Sequence, residues 1–413
     1  MKSRITHSTR IIKGNIVLPS SKSISNRLLI IKTVGRLTTE LHNLSSAKDT
    51  LTMQQCVSNL YQLNTFDIGH AGTVMRFLTA VFANTNGERM ITGSDRMKQR
   101  PIAELVNCLR QLGADITYVE KEGYPPLSIK GKQLEGGKIR MNGSISSQYI
   151  SALLMIAPCL ASPLEIEFEG DLVSKPYIDM TIQLMKEFGA EVYWKESCIY
   201  CSNKPYSNNV GFYEVESDWS SASYMYSMAA LTKEAEITVS GLHQKSLQAD
   251  SECMKLFAEL GVTSHFKSNG DLVITKNKLL ADKLQIDFTA CPDIAQTLAV
   301  VIAAKGIKAE LSGLKTLKIK ETDRITALQN ELAKIGVLIH TTDESISIDA
   351  SSIHSSDNAI HTYHDHRMAL AFAPLALVLD HIEIEDPQVI EKSYPEYWEH
   401  MKQLGFTVEV VSA

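Results

Sequence analysis

The sequence predicts an α/β protein of two domains, each built from three copies of one helix-and-strand unit. Three observations carry this. The chain has 413 residues, too many for one core and enough for about two domains of roughly 200 residues each. An amphipathic helix that ends in a large apolar residue, then glycine, then a β-rich run, recurs about every 70 residues. Between these copies lie helices that are apolar on every side, the mark of a helix buried in a core.

The recurring phrase appears as "LVNCLRQLGADITYV", "TIQLMKEFGAEVYW", "CMKLFAELGVTSHF", "ALQNELAKIGVLIH" and "YWEHMKQLGFTVEV", around Gly113, Gly189, Gly261, Gly336 and Gly405. Glycine is the residue that most readily ends a helix in the left-handed conformation. An earlier copy, "CVSNLYQLNTFDI", carries Asn64 at that place, and asparagine is the next best left-handed cap. The buried helices read "SISNRLLIIKTV", "GTVMRFLTAVFA", "SSQYISALLMIA", "SSASYMYSMAAL", "PDIAQTLAVVIAA" and "DHRMALAFAPLAL". Six of each kind over two domains means three units per domain, with the buried helices packed together and the sheets and amphipathic helices outside.

Composition narrows the function. A net charge of −6 repels nucleic acid and anionic membranes as a bulk property. Seven cysteines, an odd number spread along a long chain, do not form a disulfide framework. The lone "CIYC" lies in a strand-like run and reads as structural. The first residues contain no apolar leader core, and no apolar run reaches the roughly 18 residues of a membrane span. A cytoplasmic protein is expected.

Charge is placed unevenly. The buried helices are entered through "SSKSISNR", "GHAGTVMR", "GSISSQ", "ESDWSSAS", "ACPDIAQ" and "YHDHR". Serine and glycine there suit caps and close backbone approach, and Ser220 and Ser221 read as caps of this kind. Caps alone do not call for the basic residues beside them. Helix N-termini attract phosphate and carboxylate. Lys22, Arg27, Arg76 and Arg367 lie in these segments, and Arg100, Lys320, Arg324 and Lys392 lie in the charged lead-ins "MKQRPIAEL", "LKIKETDRITAL" and "EKSYPEYW", so small, multiply anionic substrates are expected.

The motifs "LPSSKSISNR", "GHAGTVMR", "DRMKQRPI", "SSQYISALL", "SKPYID", "SSASY", "PDIAQT", "KETDR", "DHRMA" and "KSYPEYW" resemble, in this order, those of 5-enolpyruvylshikimate-3-phosphate synthases. The resemblance spans about residues 10 to 407. It implies the enolpyruvyl transferase fold, an inside-out α/β barrel in which each domain has three βαβαββ units around buried parallel helices. It implies a domain of residues 14–214, a second of 1–13 with 215–413, and a double hinge over a cleft. It also implies transfer of the enolpyruvyl group of phosphoenolpyruvate to the 5-hydroxyl of shikimate 3-phosphate, by a monomer needing no cofactor or metal.

Carried over by motif, Lys22, Ser23, Arg27, Ser146, Ser147, Gln148, Ser174, Tyr177, Asp293 and Lys320 would hold shikimate 3-phosphate. Lys22, Gly72, Thr73, Arg100, Gln148, Arg324, Arg367 and Lys392 would surround phosphoenolpyruvate, with His366 nearby. Asp293 would be the base for the hydroxyl and Glu321 the proton donor at C3, with Lys22 and His366 in support. A carboxylate between Lys320 and Arg324 stays ionised unless bound substrate raises its pKa. Asp365 reads as an orienting group, and His364 with His366 lacks a third ligand for a metal pair. Arg76 reads as structural. His70 and Phe77 depart from the Asn and Pro usual in the family, so affinity for phosphoenolpyruvate and for its competitor glyphosate is expected to differ. The sister enzyme acting on a UDP-amino sugar is disfavoured, because no cysteine stands in its catalytic motif. A non-catalytic binder of phosphorylated metabolites would need the cations but not both Asp293 and Glu321.

Overall fold

The computed structural model describes residues 1–411 except 145, 171, 280, 350 and 351. The chain divides into two compact units, one of residues 21–215 and one of 1–20 with 216–413. The second crossing lies at Val215–Glu216. The first lies at Ser20–Ser21 rather than near residue 13. Strand Ile11–Val17 runs straight through residue 13 and pairs along its whole length, in parallel, with Glu234–Ser240. Seven paired residues hold that stretch to the 216–413 part.

The 21–215 unit carries helices α1 (Lys22–Gly35), α2 (Lys48–Ser58), α3 (Gly72–Ala83), α4 (Asp95–Lys98), α5 (Ala103–Gln111), α6 (Ser147–Ile156) and α7 (Lys175–Glu187). Among them α1, α3 and α6 are the apolar helices, and they pack on one another. The other unit carries α8 (Trp219–Leu231), α9 (Cys253–Glu259), α10 (Ala295–Ala304), α11 (Arg324–Lys334), α12 (His366–Phe372) and α13 (Tyr397–Gln403). There α8, α10 and α12 form the buried set.

The repeat is visible in the sheets. Strand Thr65–Asp67 pairs in parallel with Gly87–Thr92 across α3, and Gly87–Thr92 pairs antiparallel with Leu127–Gly131, which pairs antiparallel with Asp115–Tyr118. The same order of one parallel pair and one hairpin returns in the sheets holding Leu164–Glu169, Glu234–Ser240 and Lys308–Ser312. A parallel pair needs a crossover, and a buried helix supplies it. In the final repeat the N-terminal strand Lys2–Thr6 takes a place between Ile382–Glu385 and Thr407–Val411. The surface helices end as their glycines require, with φ of 93°, 83°, 82°, 90° and 91° at Gly113, Gly189, Gly261, Gly336 and Gly405.

Asn64 is an exception. It is absent from the left-handed residues, because α2 stops at Ser58 and a turn follows, in which the Leu63 amide donates to the Asn59 carbonyl at 3.1 Å. Asn64 already serves the sheet, its carbonyl accepting the Met90 amide at 2.7 Å. No helix among the described residues is long and apolar enough to cross a membrane.

One contact in the 216–413 unit has a measurable cost. The ammonium groups of Lys276 and Lys305 both donate to the Ala230 carbonyl near the end of α8. Burial, then the charge of Lys305, lowers the Lys276 pKa to about 8. Below that pH both folded and unfolded chains are protonated, and the folded one carries the penalty. As pH rises toward about 10.5 the unfolded lysine keeps its proton longer, so folding gains stability. Lys276→Gln is therefore expected to raise the denaturation midpoint at neutral pH, with the gain shrinking near pH ~10. Urea unfolding at the two pH values measures this, and a loss at neutral pH would contradict it.

Candidate active site

In the 21–215 unit the starts of α1, α3, α6 and α7 converge. Ser21 caps α1, accepting the Ile24 amide. Lys22 follows, its ammonium 3.3 Å from Asp49. Arg27, one turn on, is buried, and burial lowers its pKa to about 10. It donates to Thr181 Oγ1 at 2.7 Å, the Ser23 carbonyl at 2.9 Å, and Ser151 Oγ and the Tyr177 carbonyl at 3.3 Å each. Three of its five N–H groups thus tie α1 to α6 and α7, a fourth bonds within α1, and one on Nη1 remains.

Ser146 caps α6 through the Gln148 amide, and the Gln148 carboxamide reaches across to Thr73 Oγ1 of α3 at 3.1 Å. Ser147 is buried beside them. Ser174 precedes α7 with φ 55°, a left-handed conformation that costs a serine on the order of 1 kcal/mol. Tyr177 follows, its amide donating to the Ser174 carbonyl. Gly72 opens α3, and a Cβ there would collide with the guanidiniums of Arg76 and Arg100. Glycine is thus what lets two cations crowd one helix start. The structure therefore adds Arg76 to this group. It is buried, its Nε and Nη1 have no hydrogen-bond partner among the described residues, and it lies over the Tyr149 ring. The signal was its place one turn after Gly72 in the same motif.

In the other unit the starts of α8, α10, α11 and α12 carry a denser network. Asp293, in the 3₁₀ turn Pro292–Ile294 before α10, lies 3.0 Å from Arg367 and 3.5 Å from both Lys320 and Arg324. Burial pushes its carboxyl up, but Arg367, Lys320 and Arg324 outweigh burial and hold it well below the usual range. Lys320 is shifted down, by burial against the pull of Asp293. Glu321 is gripped from both sides, by Lys392 at 2.6 Å and Arg324 at 3.0 Å.

Arg324, 1% exposed, is the hub. Its Nε donates to Asp365 at 2.7 Å while its other nitrogens reach Glu321 and Asp293. Burial lowers its pKa but Asp365 and Glu321 reverse this, so it is raised. Asp365, fully buried, accepts from Arg324 and caps α12 through the Arg367 amide at 2.9 Å. His366 is buried beside it, Nδ1 3.5 Å from the same carboxylate. Arg367 also donates to Ser220 Oγ at 3.3 Å and the Tyr224 hydroxyl at 3.4 Å.

The caps on this side differ from the sequence reading. Asp218, not Ser220 or Ser221, caps α8 by accepting the Ser221 amide, and Ser220 instead bonds Asp250 and Arg367. Asp218 stands at the N-cap just before α8, whereas Ser220 and Ser221 already lie inside its first turn. Among the described residues no group of three His, Cys, Asp or Glu is placed to hold a metal.

Four cations around three carboxylates, at helix starts, form a receptor for a small anion with acid–base groups built into it. The profile of the family described as "EPSP synthase (3-phosphoshikimate 1-carboxyvinyltransferase)" matches residues 6–67 and 61–401. This chain belongs to that family. A 3-phosphoshikimate 1-carboxyvinyltransferase of Bacteroides fragilis is 46% identical over 402 residues, 97% of each protein. One of Photobacterium damsela subsp. piscicida is 36% identical over 431 residues, covering 98% of this chain and all of that protein. Two solved structures share the fold: the EPSP synthase of Acinetobacter baumannii, 20% identical with a TM-score of 0.77 and full coverage of both chains, and the enolpyruvyl transferase NikO of Streptomyces tendae, 12% identical with a TM-score of 0.77. NikO covers 100% of this chain and 99% of its own. Within the EPSP synthase family, then, the chain is an α/β transferase.

Proposed function

We propose that the chain transfers the enolpyruvyl group of phosphoenolpyruvate to the 5-hydroxyl of shikimate 3-phosphate, releasing phosphate. The observation that carries the reading is the sharing of Arg324 by Asp293 and Glu321. Two carboxylates serve the two proton transfers the reaction needs, and one buried cation keeps both in place.

The hydroxyl oxygen adds to C2 of the enol while C3 takes a proton, giving a tetrahedral intermediate. Loss of the C3 proton and of phosphate from C2 then restores the double bond. Asp293, so firmly ionised, is a weak base, and it accepts the hydroxyl proton as the C–O bond forms rather than beforehand. Glu321 delivers the proton to C3. Its two cationic partners, Arg324 and Lys392, are the groups that substrate carboxylate and phosphate would engage, and that engagement would leave the Glu321 carboxyl free to be protonated. Arg367 suits the planar, bidentate grip of carboxylate and phosphate, and in the 21–215 unit Arg76 and Arg100 offer the same chemistry.

Lys22, Ser23, Arg27, Ser146, Ser147, Gln148, Ser174 and Tyr177 are proposed to hold shikimate 3-phosphate, Arg27 through its remaining N–H. Gly72 and Thr73 are proposed to offer the start of α3 to phosphoenolpyruvate. The same reading makes the protein a cytoplasmic monomer. Phosphate release measured with each substrate alone and with both tests the assignment. Release that needs both supports it, whereas release with a UDP-amino sugar in place of shikimate 3-phosphate would favour the sister reaction.

Phe77 lies beneath the Arg27 guanidinium, 5.6 Å from its ring centroid, one turn after Thr73. A proline there lacks the N–H that would bond the Thr73 carbonyl and takes the ring from under Arg27. Phe77→Pro is therefore expected to change both the KM for phosphoenolpyruvate and the inhibition constant of glyphosate. His70, held by Ser94 Oγ at 2.9 Å, stands at the same helix start. Identical constants in wild type and variant would show that Phe77 does not tune the site.

A further inference from the structure

The far ends of α1, α3 and α6 enclose a second cavity of about 350 Å³, lined by residues of the 21–215 unit alone. Helices of 10 to 14 residues place it roughly 15–20 Å from the starts that carry the candidate active site. Val81 and Ile156 form an apolar floor, and Tyr61, Thr85, Asn86 and Gln133 bring polar groups to its walls. No aspartate or glutamate is among the described residues that line it.

Arg36 lines the cavity from the end of α1, where it caps the helix with φ 50°. Glycine would take that conformation at lower cost. The Arg36 side chain is exposed and makes no hydrogen bond or ion pair among the described residues. Helix C-termini normally repel anions. Here terminal carbonyls are already covered: those of Lys32 and Thr33 on α1 accept the Leu37 and Arg36 amides, and that of Ala83 on α3 accepts the Lys132 amide. Arg89 donates to the carbonyls of Leu60, Thr85 and Asn86 at 3.1, 3.0 and 3.1 Å, and Asn84 and Gln133 donate to that of Cys159 at 3.2 and 2.7 Å.

What remains for a ligand is one guanidinium fork and a set of hydroxyl and carboxamide groups. The fork matches a carboxylate, and groups that both donate and accept match hydroxyls. A volume of about 350 Å³ is at the small end of ligand pockets. We propose that this cavity is a second binding site, for a small polyhydroxylated carboxylate of the sugar-acid class.

Calorimetric titration of the full chain with D-gluconate tests it, with benzoate as the unhydroxylated control. Arg36→Gly removes the cation and suits the left-handed backbone. Asn86→Trp fills the cavity from an exposed position without touching the core. The site requires that gluconate bind the wild type, that binding weaken roughly tenfold or more in Arg36→Gly, and that it be lost in Asn86→Trp. Turnover should stay unchanged in both variants, since neither residue lies in the polar clusters at the helix starts. No binding at millimolar gluconate overturns the proposal. So does equal affinity in all three proteins, or benzoate binding as tightly as gluconate.

Discussion

Replacing Glu321 by glutamine lowers kcat by about two to four orders of magnitude, the usual worth of a positioned proton donor. Glutamine keeps the shape and can still bond Lys392 and Arg324, which hold the carboxylate at 2.6 and 3.0 Å. It cannot give up a proton to C3. The loss should therefore fall on kcat, with KM for phosphoenolpyruvate changing little. A second readout separates chemistry from folding. Wild-type enzyme should exchange solvent deuterium into the methylene of phosphoenolpyruvate when both substrates are bound, and the variant should not. A variant with full turnover would assign C3 protonation to another group.

Arg324→Leu has the largest expected effect on stability. Arg324 is 1% exposed, and its removal leaves Asp365 buried with its strongest partner gone. Breaking a buried pair from one side costs about 3–5 kcal/mol. For a unit of roughly 200 residues that lowers Tm by on the order of 10 °C. Activity should vanish too, since Asp293 and Glu321 lose the cation they share. Asp365→Asn in the same background removes the stranded charge and should recover part of the stability, a coupling that a double-mutant cycle reads directly. If the double variant is no more stable than Arg324→Leu, the cost does not come from the buried charge.

Much of the fold was legible because its signals are local. The six apolar segments became α1, α3, α6, α8, α10 and α12, since a helix buried on all sides must be apolar on all sides. The glycine after each surface helix marked a left-handed cap because little else adopts that backbone freely. Asn64 failed as such a marker, since α2 had already ended and the sheet claimed the residue. The nominated site residues were readable as charge beside helix starts, yet their partners were not. Nothing near Lys22 in the sequence announces Asp49, and nothing in "KETDR" announces Asp365, 41 residues away. Arg76 read as structural because its burial against Arg100 and Gly72 depends on how α3 packs.

By itself, then, the sequence determined the repeat, the buried and surface helices, the acidic bulk with basic helix starts, and the family. Each of these rests on spacing or on residue type within a few turns of chain. The tertiary structure decided which distant segments share a sheet, as when Ile11–Val17 joins Glu234–Ser240 and carries the first crossing to Ser20. It also decided which charges face one another, and so which carboxylate is held ionised and which arginine is the hub. Sheet pairing and ion pairing across tens to hundreds of residues are won by packing and desolvation, and those forces leave no periodic trace in the chain.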